Sequence, residues 1–320
     1  RRNWITSALG TWAGAIAAPA RAQSGTSRVI VGFVAGGSVD ALARLVAESL
    51  AGVGVRPYIV ENRAGAGGRL ALDLVKSAAP DGETLLVAPQ GPMTLFTHVF
   101  KDKLRYDPAR DFSPITRLVS GDFALTVGPL SGARDLAGFR TWLRTAGEKA
   151  SYGSPGAGTL PHFVGVSVAQ RLGVAMTHVP YPGSARSMVD LAGGTIAAAV
   201  SPVTEALELH KAGRVRIIAT AGQQRSPFVP EVPTFKEQGI DLDVPLWFGA
   251  YGPAAMPAAT VERLRVAIDR GFAQAETGGK LAKLGLTAAP LTPAELDALR
   301  VRESALWEPV VRASGFTPTD

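Results

Sequence analysis

The chain has 320 residues, 46% hydrophobic and 19% charged, with 36 Gly, 23 Pro and no Cys. That is the composition of a globular protein of one large or two modest domains, and it excludes a disordered, fibrous or disulfide-built chain. Without cysteine there is also no thiolate metal site, cysteine nucleophile or lipid-anchored N-terminal Cys, while a formal charge of +6 and a pI near 9.8 raise the question of a nucleic-acid partner.

The first 22 residues read as an export signal: Arg1-Arg2, a moderately apolar stretch over 3–20, then Ala20-Arg21-Ala22 as a small-x-small cleavage site. The paired arginines followed by Trp4 are similar to a twin-arginine signal, with an ordinary secretory signal as the simpler alternative. A short membrane anchor is disfavoured by Gly10, Gly14 and Pro19. Cleavage after Ala22 removes Arg1, Arg2 and Arg21 and no acid, leaving 30 basic and 27 acidic residues, or +3. The charge argument for nucleic acid then disappears, and a periplasmic location is expected.

Beyond the signal, strand and helix patterns alternate. An apolar run over 29–34 is followed by a turn at Gly36-Gly37 and helical spacing through Leu42, Leu45, Val46 and Leu50. A strand at 58–60 leads to the glycine cluster 65–68 and a helix through Leu70, Leu74 and Val75; a third strand covers 84–88. Residues 112–127 read as two extended stretches broken at Gly121. Further units follow: helix 136–143, strand 151–154, helix 159–172, strand 176–179, helix 185–191, strand 196–200, helix 205–211 and strand 215–220. Residues 226–257 are proline-rich around one extended stretch, 246–251, and the remainder is helical. Such alternation predicts mostly parallel sheets covered by helices. The organisation expected is domain 1 from 23–124 and 246–320, and domain 2 from 125–245.

In open α/β sheets, ligands settle beyond the carboxyl ends of strands, where helix N-termini present unpaired N–H groups. Four loops stand at such positions: 35–40, 64–69, 88–92 and 154–159. Each alone reads equally as a tight turn with a helix cap, Ser38 and Thr159 being the capping candidates; four together favour an anion site in a cleft. Enzyme motifs are lacking. The glycines at 65 and 67 are followed by Leu70, and those at 156 and 158 by Pro161, where a dinucleotide fingerprint needs Gly; Gly279-Lys280 lacks the first P-loop glycine. Residues 165–169 approximate a nucleophile elbow inside a predicted helix, where its strained turn cannot form. His98, His162, His178 and His210 show no metal spacing, and no catalytic residue, metal or cofactor is assigned.

The runs Val31-Gly32-Phe33-Val34-Ala35-Gly36-Gly37-Ser38-Val39-Asp40, Val60-Glu61-Asn62-Arg63-Ala64-Gly65-Ala66-Gly67-Gly68 and Ala79-Pro80-Asp81-Gly82 are ordered motifs. So are Tyr152-Gly153-Ser154-Pro155-Gly156-Ala157-Gly158-Thr159, Val179-Pro180-Tyr181-Pro182-Gly183 and Trp247-Phe248-Gly249. Together they resemble the extracytoplasmic receptors of the tripartite tricarboxylate transporters, the Bug family. The resemblance implies an α/β, two-lobed periplasmic-binding-protein fold, each lobe a mostly parallel sheet flanked by helices and joined by crossover strands. It implies a monomer that closes on a small organic acid and delivers it to a membrane permease. An accessory sensor for a signalling partner, or an α/β enzyme acting on a small acid, are the alternatives. The ligand residues it nominates are Gly37, Ser38, Asp40, Gly67, Gly68, Gln90, Ser154, Gly158, Thr159, His162 and Tyr181. Trp247 is taken as structural. The chain departs from the family pattern at Val34-Ala35, Val39, Arg69 to Ala71 and Pro182; Arg69 is added to the candidates as a partner for a second carboxylate, or else as a solvent-facing first-turn residue.

Overall fold

A computed structural model describes residues 26–53 and 56–318; the export signal read from residues 1–22 lies outside them. The first half builds β1 (Ser27–Val31), α1 (Ser38–Ser49), β2 (Tyr58–Asn62), α2 (Arg69–Lys76), β3 (Thr84–Pro89), the short α3 (Gly91–Thr94) and α4 (Phe96–Val99), and the long β4 (Phe112–Val127). There follow α5 (Leu136–Leu143), β5 (Ser151–Ser154), α6 (Leu160–Leu172), β6 (Thr177–Pro180), α7 (Ser184–Ala192), β7 (Ala198–Pro202), α8 (Val203–Lys211) and β8 (Arg216–Thr220). The chain ends with β9 (Pro245–Pro253), α9 (Ala258–Thr277), α10 (Lys280–Lys283), β10 (Thr287–Ala288) and α11 (Pro293–Ser314).

The strands form two sheet sections that share β4. In the first, β1 lies between β2 and β3, parallel to both, and β9 pairs antiparallel with β3 and with the leading part of β4. In the second, β5 lies between β6 and β7, parallel to both, while the end of β4 pairs antiparallel with β7 and β8. Each section thus keeps a parallel core and gains antiparallel strands where the chain crosses. The fold is two-lobed α/β.

One sequence expectation needs correction. Gly121 does not break the segment 112–127, which is a single strand: its leading part, as far as Asp122, pairs with β9, and from Phe123 the partners become β7 and β8. A Cβ at 121 would lie 2.8 Å from Leu286 Cδ2. The glycine admits a close neighbour and makes no turn.

Period-two alternation explains the packing of the first lobe. Val29, Val31, Leu85 and Val87 face one side with Leu42, Ala43 and Val46 of α1 and Leu264, Ile268 and Phe272 of α9. Ile30, Leu86 and Ala88 face the other with Ala71, Leu72 and Val75 of α2, Trp247, Tyr251 and Leu296. Both faces are covered, as parallel strands require. Each buried Val, Leu, Ile or Phe among these contributes about 1.5–3 kcal/mol of transfer free energy. The second lobe repeats the scheme, with Ala124, Ala199 and Ile217 against Met188, Leu191, Val203 and Leu207.

Gly32, just past β1, sets the approach of two loops: a Cβ there would lie 2.6 Å from Gly68 Cα and 2.9 Å from its carbonyl oxygen. These are backbone atoms, so relief requires moving the whole glycine loop. Gly32→Ala is therefore expected to cost about 2 kcal/mol in urea unfolding at neutral pH, and an unchanged midpoint would show that the loop yields freely.

Candidate functional site

Between the lobes lies a narrow cleft. Its walls come from the loop after β1 with the start of α1, the glycine loop before α2, the β3–α3 turn, the starts of α6 and α7, the β7–α8 junction, and β4 and β9. The lobes touch across it: the Cβ position of Gly156 is 3.7 Å from Gly67 Cα, and that of Gly91 is 3.7 Å from Leu160 Cγ.

Of the candidate residues, Gly37, Ser38, Asp40, Gly67 and Thr159 line this space. Gly37, with extended backbone, is the N-cap of α1 and supplies no side chain to the first turn; Ser38 is the first helical residue. The Ser38 N–H and Oγ–H both donate to Glu205 Oε1, each at 2.8 Å. A carboxylate from the opposite lobe thus occupies the start of α1, where the helix dipole favours negative charge. Burial raises the Glu205 pKa from its ordinary value, and the two Ser38 bonds only partly offset that.

Asp40 is buried and committed to its own loop. It accepts from the Gly36 N–H at 3.2 Å, from Arg44 Nε at 3.0 Å and from Asn62 Nδ2 at 3.0 Å. Burial alone would raise its pKa, but the bonds from Arg44, Asn62 and Gly36 outweigh it and hold the carboxyl below its ordinary value. Asn62 also donates to Phe33 O at 3.1 Å, tying the end of β2 to the loop. Gly67 adopts φ +66, and a Cβ there would meet Phe96 at 3.4 Å, so the backbone itself forms the wall.

Thr159 caps α6 by position without a side-chain bond to the first turn; its Oγ donates to Gly156 O at 2.7 Å and folds the loop on itself. Behind this loop lie Ser154, Gly158 and His162, none of which lines the cleft. The Gly158 N–H donates to His162 Nδ1 at 3.1 Å, which leaves that ring neutral with its proton on Nε2. Ser154 Oγ donates to Gly156 O at 3.1 Å and lies 2.7 Å from His178 Nε2, so it accepts from that ring. The two rings stack with centroids 4.0 Å apart. His162 supports the loop from the core side.

The other candidates also stand back from the cavity. Gly68 packs on Gly32 and Phe33. The Arg69 guanidinium lies 3.8 Å from the Phe100 ring centroid, and its Nε donates to Ala66 O at 2.9 Å. Gln90 is fully buried: its Oε1 accepts from the Trp247 N–H at 2.7 Å, its Nε2 donates to Pro245 O, and its N–H donates to Trp247 O at 3.2 Å. It stitches the end of β3 to β9. Tyr181 donates to Asp190 Oδ2 at 2.8 Å. Trp247 is buried, and its Nε1 donates to Glu303 Oε1 at 2.8 Å.

Sequence reasoning missed Glu205 and the aromatic wall of Phe33, Phe96, Phe123 and Phe248. Glu205 sits in the first turn of α8, where an acid is an ordinary partner of its own helix dipole, so nothing in the sequence marked its contact with Ser38.

A family model for the tripartite tricarboxylate transporter family receptor matches residues 42–316. The chain is 32% identical over 284 residues, covering 88% of it and 84% of the other, to a UPF0065 protein in the tcbD-tcbE intergenic region of Pseudomonas sp. strain P51. MatC of Rhodopseudomonas palustris, solved with bound malate, superposes with a TM-score of 0.83 at 30% identity, over 89% of this chain and 98% of that one. R. palustris Rpa4515, solved with adipate, gives a TM-score of 0.86 at 27% identity, over 92% and 98%.

Proposed function

The chain belongs to the tripartite tricarboxylate transporter receptor family, whose members are periplasmic receptors, and from that premise we propose that it captures a small organic acid in the interlobe cleft and delivers it to a membrane permease. The observation that carries this reading is the convergence on one cleft of the starts of α1, α6 and α7, from both lobes. Helix starts hold carboxylates without a buried counter-charge. The two relatives solved with malate and adipate support an acid as the ligand class. Among the described residues no helix is long and apolar enough to cross a membrane. The protein binds without turnover, as a monomer, and its lobes part near residues 122–125 and 245–246, where β4 and β9 cross. The ligand-contacting set is Gly37, Ser38, Gly67 and Thr159, extended by Ser184 and Ala185; the remaining candidates hold the loops in place.

Thermal shift against mono-, di- and tricarboxylates, amino acids and neutral compounds tests the reading, because a ligand of the native state raises stability by mass action, about 2.7 kcal/mol at a hundred times Kd. An organic acid recovered unchanged is the expected hit. A neutral compound as sole hit contradicts the acid assignment, and chemical conversion of the hit contradicts binding without turnover.

A further inference from the structure

Among the described residues, the charged side chains lining the cleft are Asp40 and Glu205, both acids, and no Lys, Arg or His lines it. Asp40 is paired with Arg44, one turn further along α1. Glu205 has no cation among its partners: what it accepts comes from Ser38. The rest of the wall is dominated by Phe33, Phe96, Phe123, Leu160, Leu246 and Phe248. A short aliphatic diacid has little apolar surface to offer such a wall. It also brings two charges, each needing donors, into a space where the Ser38 donors at the start of α1 are already taken by a protein carboxylate. Two carboxylates at close range in a poorly solvated site repel strongly, since the interaction grows as the effective dielectric falls.

Other donors at the cavity wall remain open. The N–H groups of Ser184 and Ala185, at the start of the nine-residue α7, make no hydrogen bond among the described residues. They suffice for one carboxylate. The geometry points to a ligand with a single carboxylate on an aromatic or similarly bulky apolar body, with Glu205 as the specificity-determining residue that shuts out a second carboxylate. This rests on the reading of the cleft as the site of a carboxylate receptor, and it narrows the substrate class of that site.

Calorimetric titration with benzoate, phenylacetate and 3-phenylpropionate against malate and adipate, on the wild type and on Glu205→Gln, tests the inference. Gln retains an oxygen to accept from Ser38 and removes the charge, and Glu205→Ala serves as a second variant that empties the α1 start. The wild type is expected to bind at least one of the aromatic acids about tenfold or more tightly than either diacid. In both variants affinity for malate or adipate is expected to gain about tenfold or more relative to affinity for the aromatic acid. A wild type that prefers malate or adipate overturns the inference and leaves the receptor reading standing; so does a preference that neither variant alters. Failure of all five acids to bind overturns the inference; the acid-receptor reading falls with it only if the wider thermal-shift panel also yields no acid.

Discussion

Gly165→Ala is expected to destabilise the protein by about 3 kcal/mol, although Ala is the better helix former by about 1 kcal/mol. Residue 165 lies inside α6, and a Cβ there would fall 2.1 Å from Cε2 of Tyr152 and 2.5 Å from its Cζ. The ring cannot swing away. Tyr152 is 1% exposed, its hydroxyl donates to His162 O at 3.0 Å, and His178 packs 5.1 Å from its centroid. Steric overlap with a pinned, buried aromatic therefore outweighs the helix propensity. The check is a double-mutant cycle in urea: Tyr152→Ala alone costs several kcal/mol through its cavity, and adding Gly165→Ala to it costs nothing further or gains slightly. Equal cost of Gly165→Ala in both backgrounds contradicts the steric account.

Acid lability is the second large effect. Burial pushes the His162 pKa down to about 4; burial, reinforced by the neighbouring His162, pushes His178 down to about 3. In the unfolded chain both titrate near 6.5. Below about pH 6.5 the unfolded state therefore holds protons that the native state refuses, and stability falls with pH until the folded values are reached. Each ring contributes a slope of about 1.4 kcal/mol per pH unit, so the pair approaches about 3. Glu303 acts with the opposite sign in part of this range, because burial raises its carboxyl to about 7 and its stabilising protonation is lost as pH rises from the unfolded value toward 7. The difference between variants is accordingly the useful readout. His162→Asn keeps an acceptor for the Gly158 N–H and cannot titrate, so relative to the wild type it is expected to gain about 1 kcal/mol or more per pH unit between pH 6 and 4.5 in urea unfolding. Parallel pH profiles for the two proteins contradict the assignment.

The alternation of elements was legible because apolar spacing switches cleanly between two and 3.6 residues, and Gly or Pro marks most turns. Gly121 misled for a physical reason: in sequence a glycine between extended stretches is as good a turn as a close contact, and only Leu286 on a distant segment distinguishes them. The helices α3 and α4 carry four residues each, too few for a period to declare itself. Around the cleft, glycine and hydroxyl residues marked which strand ends surround it, since backbone chemistry announces itself locally. Side-chain direction does not. The family resemblance nominates His162 as a ligand contact, yet α6 is buried on nearly all sides from Leu160 to Gly165, and the ring turns inward. Glu205 meets a residue 167 positions away, and no local pattern encodes such a pairing.

The central claim is that the interlobe cleft is the binding site. It is tested most directly by titrating the acid with the largest thermal shift into the wild type and into Ala185→Trp, in which a large side chain fills the cleft from the start of α7 without disturbing either core. One-to-one binding in the wild type, weakened about a hundredfold or more in the variant with its fold intact by circular dichroism, is the predicted result. Equal affinity in the two proteins would place the ligand elsewhere and contradict the account.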